Sequence, residues 1–227
     1  MTRFIAKAIN YFEQNMRAVG SMNAFRSGTF SILAVSPSSK LMGVAVASGS
    51  TSVGYRVPHA KPGVGVIATQ AHTNVAYGVK GLELLTTGVS PKETLDKLLM
   101  EDPEKCLRQV AIMDFRRRKA VFTGTKAPKW HGEAVGPDYI VIGNLLARKE
   151  VITIMAKEFE RSNEDLAIRM LKALKAGSIG GGDKRGEKSS ALIVVNSERA
   201  EVEIRVDTHE NPVEELCRRL KIIQENK

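Results

Sequence analysis

Cysteine is scarce in this chain. Its 227 residues hold only Cys106 and Cys217, far apart and in different kinds of segment. That argues against a disulfide framework and fits a reducing cytoplasm. Histidine is as thin: His59, His72, His131 and His209 stand apart, none at metal-ligand spacing from a cysteine or from one another. No metal is expected. Long apolar runs are missing as well. None approaches the roughly 20 residues a membrane-spanning helix needs, so no membrane partner is expected. The first residues lack the basic, apolar, small-residue order of a secretion signal. Aromatic residues make up 5% of the chain, too few for the stacking platforms that bind single-stranded nucleic acid. The formal net charge of +9 would suit a polyanion, but the charges are spread out. The one dense cluster, Arg116-Arg117-Arg118-Lys119, lies between two apolar stretches and reads as a solvated hairpin turn. Nucleic acid is therefore disfavoured.

What is present is a hydrophobic content of 43%, enough for one large core. Residues 1–20 place Phe4, Ile5, Ala8, Ile9, Phe12 and Met16 on one helical face. Residues 20–28 are small and polar, which suits a loop. Thr29–Val35 and Leu41–Ala47 read as a hairpin, and Gly63–Gln70 as a buried strand. A helix is expected over Gly78–Thr87. Ser90-Pro91-Lys92-Glu93 carries a capping signature and opens a second helix. Val110–Asp114, Ala120–Thr123 and Tyr139–Ile142 return to strand. Helices follow over Glu150–Arg161 and Asn163–Ala176, with Asn163 a plausible cap. A glycine-rich charged loop, Gly177–Ser189, leads to a hairpin of Ala191–Val195 and Val202–Val206. Pro212–Gln224 closes the chain as a helix. Hairpins alternating with helix pairs do not make a doubly wound parallel sheet; two sheets with helices outside satisfy the order.

The chemistry-bearing stretch is Gly28-Thr29, directly before the first strand. Cutting the bond between them would make Thr29 an N-terminal residue. Its hydroxyl would be a nucleophile and its own α-amine the base. That amine titrates at about 7.7–8.0, against about 10.4 for lysine, so it is well matched to neutral pH. Most glycine–threonine pairs before strands are ordinary strand starts, so the dipeptide alone decides little. Ser48, Thr69, Gln70, His72 and Asn74 sit just past strand ends, where they can line a pocket or serve local turns. Asn144, at the end of its strand, can donate a side-chain amide to an oxyanion or serve as a turn residue; backbone N–H groups near Ser48-Gly49 are the alternative donors. Gly180–Ser190 resembles a phosphate loop only superficially: Glu187 interrupts the required spacing, and the loop runs from helix to strand instead of strand to helix. Its functional reading is a loop that brings Asp183, Arg185 and a serine to a site.

A set of ordered matches adds to this. They are Thr29-Phe30-Ser31-Ile32 with Ala34, Gly43 to Ser48, Gly63-Val64-Gly65 with Ala68 to Ala71, Tyr77-Gly78 with Gly81 to Leu85, and Gln109-Val110. They continue through Phe122-Thr123-Gly124, Gly143-Asn144, Gly181-Gly182-Asp183 with Arg185-Gly186, and Ser190-Ala191-Leu192. Together they resemble the family known as domain of unknown function 1028, from Thr29 to about Val195. The resemblance implies an α+β fold of the N-terminal nucleophile hydrolase type, a four-layer αββα sandwich of two antiparallel sheets. Three features depart from the family pattern: residues 1–28 ahead of the threonine, the polar Ser48–Ser52 stretch, and His72 where an aromatic residue is expected.

The expected organisation is an N-terminal extension over 1–28, read as a removable propeptide, a helix packed on the domain or a partner, or the product of a mis-assigned start, and one domain over 29–227. The expected activity is hydrolysis of an amide bond in a small molecule or short peptide. Thr29, Asn144 and Asp183 would form the catalytic group, with Ser48, Thr69, Gln70, His72, Asn74 and Arg185 binding substrate. No cofactor is needed, and the protein is expected to be a cytoplasmic homo-oligomer. The alternative is a non-catalytic binding or assembly module on the same fold, with the N-terminal helix kept as an interface.

Overall fold

The computed structural model describes residues 28–36, 38 and 40–226. The helix expected over residues 1–20 and the loop up to residue 27 lie outside the described residues. The fold is a sandwich of two antiparallel sheets with helices on both outer faces. The larger sheet is built around a hairpin, β1 (Thr29–Ser36) and β2 (Leu41–Ser48), in which Thr29 faces Ser48 and Ser36 faces Leu41. A short 3-10 turn, Val53–Tyr55, leads from it into the smaller sheet: β3 (Pro58–Lys61), β4 (Gly65–Ala71), β5 (Arg108–Asp114) and β6 (Lys119–Thr123). Two helices, α1 (Ala76–Thr86) and α2 (Pro91–Met100), interrupt that sheet between β4 and β5. The chain then returns to the larger sheet through β7 (Gly132–Val135) and β8 (Tyr139–Asn144), crosses its outer face as α3 (Glu150–Arg161) and α4 (Leu166–Ile179), and ends with β9 (Ser189–Val195), β10 (Ala200–Val206) and α5 (Pro212–Glu225). The sheet orders are β10-β9-β2-β1-β8-β7 and β3-β4-β5-β6.

Alternation along the strands sorts side chains into layers, because successive residues point to opposite faces. In β1, Phe30, Ile32 and Ala34 face outward and pack with Met155 and Phe159 of α3, Met170 and Leu174 of α4, and Leu216 and Leu220 of α5. Leu33 and Val35 face inward and meet Val66 and Ala68 of β4 and Ala111 and Met113 of β5. Ile67, Val110 and Ile112 face the other way, against Tyr77 and Leu85 of α1 and Leu95 and Leu98 of α2. Each fully buried side chain of this kind is worth about 1.5–3 kcal/mol of transfer free energy. Gly43 on β2 lets α4 come close: a Cβ there would lie 2.9 Å from the Met170 sulfur.

Local signals act where expected. Ser90 caps α2 through a complete capping box with Glu93, and Pro91 occupies the first helical turn. The Arg116–Lys119 cluster is the β5–β6 turn, held by the Asp114 carboxylate, which accepts from the backbone N–H of Arg116 and Arg118 at 3.0 and 2.9 Å. Two strands, β3 and β7, lie where no strand is expected from sequence. Each has four residues and forms an edge of its sheet, and β3 opens with proline. Such short edges carry little hydrophobic alternation. The helix expected from Asn163 starts instead at Leu166, with Asp165 at its cap position. Ahead of it the Ser162 hydroxyl is tied to the Glu164 carboxylate.

Candidate active site

At one end of the sandwich the inner face of the larger sheet turns polar. Thr29 is in register with Asn144 of β8 on one side and Ser48 of β2 on the other, and Ser48 is in register with Ser189 of β9. All are in phase with the inward-facing apolar residues of their strands, and all are buried. A matching row faces them from the smaller sheet, where Gln70, Gln109 and Thr123 are successive register partners across β4, β5 and β6.

The two rows are stitched together. Gln70 accepts from the Ser31 hydroxyl at 2.6 Å and donates to the Thr29 carbonyl at 3.2 Å. Its amide also donates to Gln109 Oε1 at 2.8 Å. Gln109 donates to the carbonyls of Gly132 and Gly143 at 3.2 and 3.0 Å, which fixes the orientation of its amide. Its oxygen therefore faces Gln70 and Asn144, and Asn144 Nδ2 donates to it at 3.1 Å. That fixes Asn144 in turn. Its Oδ1 is buried and has no partner among the described residues.

The Thr29 hydroxyl donates to the carbonyl oxygen of Gly28 at 2.7 Å and lies 3.2 Å from Ser48 Oγ. Ser48 also donates to the Gly28 carbonyl, at 2.6 Å, and it sits 3.0 Å from Ser50 Oγ. The Gly28 carbonyl thus lies between two hydroxyls. Beside it, in the loop between α4 and β9, is the Asp183 carboxylate. It accepts from the Gly49 N–H at 2.7 Å, from the Arg185 N–H at 2.9 Å, and from the Arg185 guanidinium at 2.9 and 3.1 Å. The Asp183 N–H is held by Glu187, which also accepts from Ser178. The packing admits only glycine on two sides of this carboxylate. A Cβ on Gly28 would lie 2.4 Å from Asp183 Oδ2, and one on Gly49 2.7 Å from the same oxygen.

The residues singled out in the sequence divide into two groups. Thr29, Ser48, Gln70, Asn144, Asp183 and Arg185 gather at this end. Thr69 does not join them: it is in phase with Ile67, on the helix side of β4, and its hydroxyl donates to the Asn74 carbonyl at 3.1 Å. His72 and Asn74 belong to a separate cluster around Arg108. There the Arg108 guanidinium donates to His72 Nδ1 and to the His72 carbonyl at 2.5 and 2.8 Å. It also pairs with Asp102 at 2.8 Å and Glu104 at 2.9 Å. Tyr77 donates to Asp102 at 3.0 Å. Hydrogen bonding from Arg108 holds the Asp102 pKa down at about 2, and burial pushes the Tyr77 phenol up. This cluster borders a cleft of about 300 Å³ lined by Asn74, Tyr77, Asp102 and Arg108 among others. Among the described residues no group of three or more His, Cys, Asp or Glu side chains could hold a metal ion. No helix among them is long and apolar enough to cross a membrane.

Sequence reading passed over Gln109, Ser189 and Arg56 as site residues. A phase signal marks Gln109: it continues the inward alternation of Ala111 and Met113, so it is a polar residue where an apolar one is due.

The family of unknown function DUF1028 matches residues 29–216. A crystal structure of a DUF1028 protein from Silicibacter pomeroyi is similar, with 31% identity, a TM-score of 0.80, and coverage of 86% of this chain and 85% of that one. Weaker likenesses are to Anbu, the ancestral beta-subunit from Yersinia bercovieri, at 13% identity and TM-score 0.41, covering 88% of this chain and 97% of that one. Another is to eukaryotic HslV from Trypanosoma brucei at 11% and 0.39, covering 74% and 99%. No curated protein matches. The chain belongs to the DUF1028 family.

Proposed function

We propose that this chain is an N-terminal-nucleophile hydrolase of an amide bond in a small molecule or short peptide, generated by cutting the Gly28–Thr29 bond. The observation that carries the reading is the Thr29 hydroxyl, set at the start of a central strand and hydrogen-bonded at 2.7 Å to the Gly28 carbonyl. Release needs no outside nucleophile. Thr29 Oγ attacks the Gly28 carbonyl carbon, the peptide nitrogen leaves with the hydroxyl proton, and an ester forms. Water hydrolyses that ester to a Gly28 carboxylate and a free Thr29. Ser48, donating at 2.6 Å to the oxygen that turns anionic, stabilises that charge. Preorganised donors of this kind are worth about 2.7–4 kcal/mol in acyl transfer.

The same atoms then act on substrate. Thr29 Oγ attacks the amide carbonyl, and the freed α-amine takes its proton and passes it to the leaving nitrogen. The acyl ester is cleared by water activated by the same amine. Asn144 Oδ1, without a partner among the described residues, accepts from that amine, and the second N–H of Asn144 Nδ2 serves the substrate oxyanion. The Gly49 N–H is already committed to Asp183, so it takes no part in that hole. Asp183, uncovered when Gly28 departs, orients the amine, and Arg185 holds Asp183. Residues 1–28 form the removed extension and 29–227 the working domain, with Ser48 and Gln70 shaping its floor. Thr69, His72 and Asn74 stand back from it. The reading carries a cytoplasmic location and a homo-oligomer; light scattering on the purified protein tests the latter.

Intact mass and N-terminal sequencing of the purified protein test the release. The expected result is a chain beginning at Thr29 for wild type and a full-length chain for Thr29→Ala, with Ser48→Ala released more slowly. A wild-type chain that stays full length overturns the mechanism and favours a binding module. A Thr29→Ala protein that cleaves an amide library as fast as wild type also overturns the mechanism, and assigns the cleavage to another nucleophile.

A further inference from the structure

Arg56 stands at the outer end of a chain of hydroxyls that begins at Thr29. Thr29 Oγ1 lies 3.2 Å from Ser48 Oγ, Ser48 Oγ 3.0 Å from Ser50 Oγ, and Arg56 Nη2 donates to Ser50 Oγ at 2.8 Å. The same Nη2 donates to the Thr51 carbonyl at 2.9 Å. Both acceptors are neutral. Among the described residues no carboxylate pairs with Arg56. Its Nε and Nη1 hydrogens have no protein partner there. The other arginine of the site, Arg185, is already neutralised by Asp183 at 2.9 Å, and Arg205 is paired with Glu203. Among the described residues Arg56 is thus a positive charge without a carboxylate partner, linked to Thr29 through two serine hydroxyls. It is also half-buried, and burial pushes its pKa down. Arginine stays charged regardless, so the cost of keeping that charge half out of water is left standing.

The segment that carries it is rigidly held. Val53 and Val57, on either side, are buried in the core between the sheets. Ser189 Oγ accepts from the Val53 N–H at 3.1 Å and donates to the Ser50 carbonyl at 2.6 Å. A cation fixed in this way is preorganised for an anion, and arginine with a carboxylate is a strong charge-assisted pair.

We infer that Arg56 anchors a carboxylate on the acyl part of the substrate, a short aliphatic spacer away from the carbonyl that Thr29 attacks. This rests on the hydrolase reading above. The acyl side follows from the chemistry: the acyl group stays on Thr29 through both halves of the reaction, so only an acyl-side anchor so close to the nucleophile holds substrate in both. A neutral or cationic acyl chain leaves the arginine unpaired, and the site discriminates against it by leaving a charge without a partner.

Two probes isolate the carboxylate. Glutaryl-p-nitroanilide and valeryl-p-nitroanilide differ in that group alone. The expected kcat/KM ratio in wild type is roughly tenfold or more in favour of the glutaryl compound. Arg56→Met brings the ratio to about one, and Arg56→Lys leaves part of it, with thermal melts confirming that both variants fold. Glutarate binding, followed by calorimetry on the same proteins, is a readout that needs no turnover. It should be present in wild type and lost in Arg56→Met. Equal kcat/KM for the two anilides, or a ratio that Arg56→Met leaves unchanged, overturns the anion site while the hydrolase reading stands. No turnover of either anilide, with glutarate binding that depends on Arg56, overturns the hydrolase reading and keeps the anion site. Absence of both turnover and binding overturns the two together.

Discussion

Two buried polar clusters among the described residues are built on opposite principles. Around Arg108 the groups are charged and their bonds are closed. Asp102 takes two hydrogen bonds from the guanidinium, one from Tyr77 and one from the Glu104 N–H. Arg108 in turn spends itself on Asp102, Glu104 and His72. Around Thr29 the groups that bridge the two sheets are neutral hydroxyls and amides, and the bonds are left open. Asn144 Oδ1 has no partner among the described residues, and Arg56 at the rim has no carboxylate. A closed cluster has nothing left to offer a ligand, whereas an open one has atoms whose bonds a ligand or a freed amine would complete. Charge alone would have ranked the clusters the other way round.

The sharpest way to break this contrast is Arg108→Met. It leaves Asp102 as an unpaired buried carboxylate, which costs about 3–5 kcal/mol. Denaturant titration should register that loss, while release of the segment before Thr29, followed by mass, proceeds in whatever fraction stays folded. If release fails in the folded protein, the two clusters are not independent. Gln109→Leu is the converse. It strips Asn144 and Gln70 of their shared acceptor and leaves buried N–H groups unpaired, at about 1–3 kcal/mol. Here the release of Thr29 should slow by more than the stability change accounts for. A Gln109→Leu protein that is destabilised yet released at the wild-type rate would show the amide network to be scaffolding only. The smallest effect is in acid. The Asp102 pKa is lowered to about 2 in the fold, below the usual value of about 3.9. The stability this carries is present above about pH 4 and is lost as pH falls toward about 2. Thermal melts across that window should fall for wild type and flatten for Asp102→Asn.

Much of this was legible in the chain. The β1–β2 hairpin follows from alternation, the start of α2 from its serine–proline–glutamate cap, and Thr29 as the residue that opens the first strand from the apolar run that follows Gly28-Thr29. These signals are local, and they survive in any context that keeps their neighbours. The short edge strands β3 and β7 left no such trace, since an edge of four residues buries too little to need a pattern. The site was half visible. Thr29, Ser48 and Asn144 stand at strand ends of one sheet, where polarity is noticeable in sequence. Thr69 and Gln70 looked alike on paper, but one residue of alternation sends Thr69 to the helices and Gln70 between the sheets. Gln109 and Arg56 gain their meaning only from the opposite sheet or from partners they lack, and neither is encoded by nearest neighbours. Gln109 did carry a usable clue in its inward phase with Ala111 and Met113.

Thr29 opens a strand whose alternate residues, Phe30, Ile32 and Ala34, fill the space beneath the outer helices. A slip of β1 by one position would swing the hydroxyl to the wrong face, and the same slip would drive those three side chains out of their core. The Thr29 hydroxyl therefore inherits its placement from packing on the opposite face of its strand. A chain that folds with its threonine misaimed fails as a fold first, so under the proposed hydrolase reading folding itself proofreads the site.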